Sequence, residues 1–340
     1  MSITSTSPDA PSSFHRDGLP DPRGPLSAAI LGALAARPAE VGAISVDVDD
    51  ADPYGDDLHL ALYVCYELHY RGFPGVDDAW EWNPELLRVR SEMERVFLAH
   101  VRENVARGGS APDEMDALSV EHVDGSGPSY HLRDAGTREQ MQEYLAHRSL
   151  YHLKEADPHA WTIPRLEGHA KAAYVAVEFD EFGGGRGSHM HQSLFRELLG
   201  AAGMDDRYLG YLDRVGAQTL APVNLMSMFG LHRSLRGASV GHLAATEITS
   251  SPGSQRLVKA LRRLDFPAQS IAFYAEHVEA DAMHEQILRH DVVGSLIAAE
   301  PHLEADVVFG MRAMGYVEDV LADHLMAAWQ NGDSTLRLRS

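Results

Sequence analysis

From Pro25 to about residue 330, apolar residues recur at spacings of three and four, which gathers them on one face of a helix but scatters them over both faces of a strand. The period predicts helices over 25–37, 56–71, 84–106, 135–156, 167–182, 188–202, 205–215, 219–235, 237–249, 252–263, 267–290 and 302–330. Strand signals are weak. YVAVEF (174–179) is partly β-branched, yet KAA before it and DEF after it suit a helix equally well. The expected fold class is therefore all-α, with a bundle over 135–330. GSAPDEMDALSVEHVDGSGPS (109–129) interrupts the pattern and reads as a domain boundary or a long surface loop, with room for a short extended pair. Residues 1–24 are polar and rich in Ser, Pro and Asp, which predicts a flexible tail.

Composition narrows the function classes. Fifty acidic against 29 basic residues give a formal charge of −21, which repels nucleic acid and anionic lipid. No apolar run reaches the roughly 18–20 residues of a membrane span, and the N-terminus has no apolar core before a cleavage site. A soluble, cytoplasmic protein is the expectation. The single cysteine, Cys65, rules out an intrachain disulfide or a multi-thiolate cluster, so any metal must be held by nitrogen and oxygen.

HVEADAMHE (277–285) is the most informative short stretch. Steps of four and three residues turn a helix by about 400° and 300°, so His277, Asp281 and His284 share one stripe. Two imidazoles and a carboxylate on one stripe suit a metal site between facing helices. With 19 histidines in the chain, an incidental coincidence is the competing reading.

A second half of such a site is sought on other helices. One candidate stretch is AAYVAVEFDEFGGGRGSHMHQSLF (172–195), where Glu178 and Glu181 lie one turn apart and His189 and His191 follow a glycine run. GGGRG lacks the spacing and the following Lys-Ser/Thr of a phosphate loop, which excludes that nucleotide motif. The other is LRGASVGHLAATEITSS (235–251), where Glu247 shares a face with Ala244 and Leu243; a buried carboxylate there needs a partner, and a surface cap or arginine pair is the alternative.

Taken in order, DEFGGGRGSHMHQSLF, RGASVGHLAATE and HVEADAMHE resemble the haem-oxygenase-like di-iron oxidases and oxygenases, the iron-containing redox enzymes. The likeness covers about residues 145–290, with weaker similarity in YELHYRGF (66–73). The resemblance implies a haem-oxygenase-like helical bundle over 131–340 with an N-terminal helical extension over 25–130. It also implies that Glu181, His191, Glu247, His277, Asp281 and His284 hold two irons, with O2 as co-substrate. A small amino-acid-like or amine substrate, an external electron donor and a homodimer complete the picture. Some relatives that oxygenate nitrogen carry a further carboxylate seven residues after the first glutamate. This chain has Ser188 there, which leaves His189 or Glu178 to adjust the coordination and keeps N-oxygenation, desaturation, hydroxylation and oxidative C–C cleavage open.

Glu67, His69, Arg148, His152, Arg236 and His242 are weaker candidates for a pocket or for support of the ligands, with a purely structural role as the alternative for each. Met226 and Met228 read as core, and Trp80 and Trp82 as packing of the N-terminal helices or a gate. A haem-binding bundle and a non-catalytic helical binding module remain the competing functional classes.

Overall fold

The structure is a computed structural model that describes residues 16–121 and 123–338, except for the side chains of 279–282. The chain is 71% helical, and no strand occurs among the described residues. In order, the helices are α1 (Pro25–Leu34), α2 (Asp56–Glu67), α3 (Pro84–Asn104), α4 (Ala111–Leu118), α5 (Pro128–Asp134), α6 (Arg138–His152) and α7 (Asp157–Ala160). They continue as α8 (Gly168–Glu181), α9 (His191–Ala201), α10 (Ala217–Leu231), α11 (Arg236–Arg263), α12 (Ala272–Gln286), α13 (Ser295–Ala299) and α14 (Glu304–Asn331). A π-helical stretch, Ile287–Gly294, joins α12 to α13.

Several starts follow from local chemistry. Asn83 caps α3 by accepting from the Glu85 and Leu86 amides, with Pro84 at the first helical position. Thr137 and Gln140 form a reciprocal capping box on α6.

The structure departs from the expected elements in four places. Residues 109–129 hold α4 and the start of α5 rather than an extended pair: Ser110 caps α4, Pro112 sits in its first turn, and Ala111 and Met115 are buried. The expected helix over 205–215 is instead a series of turns with a short 3₁₀ segment at Leu212–Arg214, and Leu209 adopts a φ of 60°. The expected break near Pro252 does not occur. α11 runs through it, because packing against α12 and α14 outweighs the one backbone hydrogen bond a proline removes. Part of the expected tail, from Arg16 onward, is packed instead. Residues 1–15 lie outside the described residues, but Arg16 bonds Asp213 and its amide reaches the Tyr208 carbonyl, while Arg23 reaches the Leu212 carbonyl.

The small residues of α11 have a packing role. A β-carbon on Gly241 would overlap the Val307 carbonyl, and one on Gly310 would overlap the Ala238 carbonyl, so α11 and α14 cross in backbone contact. One apolar cluster joins α1, α2, α3, α6, α9, α10 and α14; Ile30, Leu62, Phe97, Leu145, Phe195, Leu225 and Val317 are fully buried in it. Met226, Met228 and Trp80 belong to the same cluster. A second cluster, with Tyr174, Val177, Ala244, Val292 and Val307, unites α8, α11, the π-helical stretch and α14. The ends of α6 and α8, the start of α9, and the middles of α11 and α12 meet at polar side chains beside these clusters.

Three buried histidines make the fold acid-sensitive. Burial holds His59 down at about 4, and His147 and His242 at about 3, so each stays neutral in the folded chain. His59 donates to the Pro53 carbonyl and accepts from Asn224, which fixes a neutral tautomer. Below the ordinary imidazole value near 6.5 the unfolded chain binds protons that the folded chain refuses, so stability falls as pH falls toward 3–4. Each group contributes about 1.4 kcal/mol per pH unit in that window, or roughly 5 kcal/mol for the three between pH 7 and 5. Urea melts of the metal-free chain at the two pH values test this; equal stabilities would contradict it.

Candidate metal centre

Glu181 ends α8 and His191 opens α9. The connection between them is tight because Gly183 takes a φ of 73°, and a β-carbon there would lie 2.6 Å from the backbone of His189 and Met190. Only glycine allows this return. It brings His191 Nδ1 to 2.7 Å from Glu181 Oε2, with both side chains buried.

α11 and α12 supply the facing side. Glu247 is 6% exposed among small apolar residues of α11, and His277 and His284 lie on the inner stripe of α12 at 5% and 1% exposure. His277 donates from Nδ1 to the Phe273 carbonyl (2.8 Å), which turns Nε2 toward the site, where the Glu155 carboxylate stands 3.5 Å away. His284 is oriented the other way round: Nε2 faces the Asp180 carboxylate at 3.3 Å, and Nδ1 faces Glu247 Oε2 at 3.1 Å and Glu181 Oε1 at 3.5 Å. An imidazole that commits one nitrogen to a carbonyl or carboxylate and presents the other is the usual posture of a metal ligand. Asp281 occupies the same stripe of α12 by sequence, but its side chain lies outside the described residues.

Two groups of potential ligands result. Glu155, Glu181, His191 and His277 each offer an atom within 4.8 Å of the others, and so do Glu181, Glu247 and His284. Glu181 is common to both. All six of these residues are buried.

Glu155 is the member that the sequence reading missed. It lies just beyond α6, where Ala156 adopts a φ of 73°, and the Gln192 side chain donates to its carbonyl (2.9 Å), tying it to the start of α9. His277 Nε2 stands 3.5 Å and His152 Nδ1 3.1 Å from its carboxylate. A usable signal was present: Met141, Leu145, His152 and Glu155 continue one helical stripe past the end of α6.

The charges fit a cation site. Burial alone would raise Glu155, but His152 and His277 hold it well below the usual carboxylate range. Burial raises Glu247, and the neighbouring Glu181 charge adds to it. His284 is pushed up to about 9, because the Glu247 and Glu181 carboxylates outweigh the lowering effect of burial. A proton on His284 therefore holds part of the positive charge that the carboxylates demand, and a metal would displace it. Glu181 Oε1, Glu155 Oε2, His191 Nδ1 and His152 Nδ1 are buried without an aligned hydrogen-bond partner. His191 and Glu181 approach closely without hydrogen-bond geometry, as donors do when their lone pairs converge on one point. The donor set, imidazole and carboxylate without thiolate, suits iron.

The remaining candidates fall elsewhere. Ser188 and His189 are exposed, whereas the buried Glu155, 26 residues before Glu181, lies in one of the two ligand groups. Glu67 pairs with Lys154, Arg148 with Glu318, Arg236 with Glu300, and His69 with Glu81 and Arg90. His242 bonds His159 at 3.1 Å. Trp82 lies exposed against the His69 ring. Of the weaker candidates, His152 alone touches the centre, through Glu155.

No helix among the described residues is long and apolar enough to cross a membrane. Residues 142–318 match the model of a family described as iron-containing redox enzyme. The chain is also similar to a nitrosourea synthase from Streptomyces achromogenes subsp. streptozoticus, with 22% identity over 220 residues, 62% of this chain and 46% of that protein. It thus spans about half the length of that curated relative. Its fold is that of a CADD-like protein of unknown function from Nostoc punctiforme, with a TM-score of 0.50 and 16% identity over 67% of this chain and 96% of the other. The family match encloses all six residues of the two ligand groups, and the chain belongs to the iron-containing redox enzymes, as an oxidoreductase with a haem-oxygenase-like all-α bundle.

Proposed function

We propose that the chain is a non-haem di-iron oxidase or oxygenase that uses O2 on a small amino-acid-like or amine metabolite. The observation that carries this reading is the sharing of Glu181 between two buried ligand groups, since a carboxylate with two oxygens can bridge neighbouring metals. Glu155, His191 and His277 would hold one iron and Glu247 and His284 the other, with Asp281 placed by sequence on the same stripe. When bound, the two irons supply the electrons that reduce O2, and an external donor restores them.

The chain's own residues orient and insulate. Phe273 and Asp180 fix the ring orientations of His277 and His284. Phe195 and Phe273, in edge contact at 4.9 Å, wall the His152 and His277 side with apolar surface and keep water from it. Carboxylates tolerate a change of metal charge by shifting their binding, whereas neutral imidazoles anchor each position. Similarity to nitrosourea synthase favours nitrogen as the atom oxidised.

A self-contained polar network would satisfy its own hydrogen bonds, and the unpartnered atoms of Glu155, Glu181 and His191 count against a mere binding module. The test is anaerobic loading with ferrous iron followed by an O2 pulse. About two irons per chain and rapid iron-dependent O2 uptake are expected; an iron-loaded chain that consumes O2 no faster than free iron would overturn the reading.

A further inference from the structure

Glu178 lies one turn before Glu181 on α8 and is 2% exposed. Both of its carboxyl oxygens are buried, and neither has a hydrogen-bond partner among the described residues. Tyr174, Glu178 and Glu181 form one stripe of the helix, and Tyr174 is itself pinned by a hydrogen bond to the His159 carbonyl (3.0 Å). His159 Nδ1 is also buried and without a hydrogen-bond partner among the described residues. A buried carboxyl without a partner costs several kcal/mol, so its retention calls for a ligand.

Among the described residues no buried lysine or arginine pairs with it. The buried basic side chains are already committed, Lys154 to Glu67, Arg90 to Glu94 and Arg236 to Glu300. Nor is Glu178 part of either ligand group, and a lone carboxylate is too few donors for another metal ion. Burial is the first cause that raises its proton affinity well above the ordinary range, so a cationic partner is what would hold it ionised.

We propose that Glu178 binds the cationic nitrogen group of the substrate, an ammonium or guanidinium, and holds it beside the metal centre. This rests on the di-iron reading and narrows its substrate class. A charge-assisted hydrogen bond between a buried carboxylate and such a group is strong and directional. The net charge of −21 also favours the approach of a cation.

The test uses the ferrous-loaded full chain under anaerobic conditions, with calorimetric titration of n-butylammonium, n-butylguanidinium and neutral n-butylurea. At least one cationic probe should bind about ten-fold or more tightly than the urea, and Glu178→Gln should erase that preference while iron content stays at the wild-type level. Which cation binds better distinguishes an amine from a guanidine substrate. Glu178→Met, similar in volume and uncharged, repeats the measurement should the amide variant fail to fold. No preference in the wild type, a preference that survives both substitutions, or loss of iron on substitution would each overturn the proposal, the last by making Glu178 a metal ligand. Absence of iron from the wild type would instead overturn the di-iron reading, and the Glu178-dependent preference is read separately from it.

Discussion

Glu181→Ala is expected to lose more than half of the bound iron, whereas Glu247→Ala and Glu155→Ala each keep about one iron per chain. The difference follows from position. Glu181 belongs to both ligand groups, while Glu155 and Glu247 each belong to one. Without Glu181, the group on α11 and α12 is left with Glu247 and His284, and the other loses the carboxylate that faces His191 at 2.7 Å. The metal-free fold should survive, because the substitution removes one of several mutually repelling buried carboxylates. Iron counting after anaerobic loading, with a denaturant melt of each metal-free variant, makes the comparison. Equal iron loss in Glu181→Ala and Glu247→Ala would remove the basis for a shared ligand.

Lys154→Met is expected to destabilise the metal-free chain by about 3–5 kcal/mol. Lys154 Nζ lies 2.7 Å from Glu67 Oε2, and the two side chains are 1% and 0% exposed. Tyr208 donates to the other Glu67 oxygen (2.7 Å), and the ammonium also sits 4.3 Å from the Tyr63 ring centre and 4.6 Å from that of Tyr70. Removing the lysine strands a fully buried carboxylate, which is far more costly than the pair itself is stabilising. The double variant Lys154→Met with Glu67→Leu should recover much of the loss. Lys154 also precedes Glu155 and the strained Ala156, so the single variant should bind iron less tightly as well as unfold more easily. A loss under about 1 kcal/mol would mean that the pair is solvated in solution.

The ligands that the sequence exposed are those whose helix geometry brings them together within one element or across one short turn. His277 and His284 share a stripe of α12 by period alone, and Glu181 and His191 flank a glycine run that can only be a sharp return. Glu155 was hidden because it lies past the end of its helix and reaches the centre only through the left-handed turn at Ala156 and the Gln192 contact, both of them tertiary facts. Ser188, close to Glu181 in sequence, is exposed in the turn.

The same division explains the helix errors. Around Pro252 the local signal was a break, and packing of α11 on two neighbours overruled it. At 205–215 the local signal was a helix, but the backbone at Leu209 is left-handed and the segment instead runs as turns that receive Arg16 and Arg23 from the N-terminus. In 109–129 the polar composition masked a short helix whose Ser110 cap and buried Met115 are ordinary helix signals. The small residues of α11 could be read as apolar from sequence, but their purpose, the contact of Gly241 with the α14 backbone, needed the partner helix in place.

The central claim is that two irons share Glu181. Iron-edge anomalous diffraction from crystals loaded anaerobically with ferrous iron tests it most directly. The account predicts two anomalous peaks per chain, one among Glu155, Glu181, His191 and His277 and the other among Glu181, Glu247 and His284, with Glu181 in contact with both. A single peak, or iron bound away from Glu181, would contradict it.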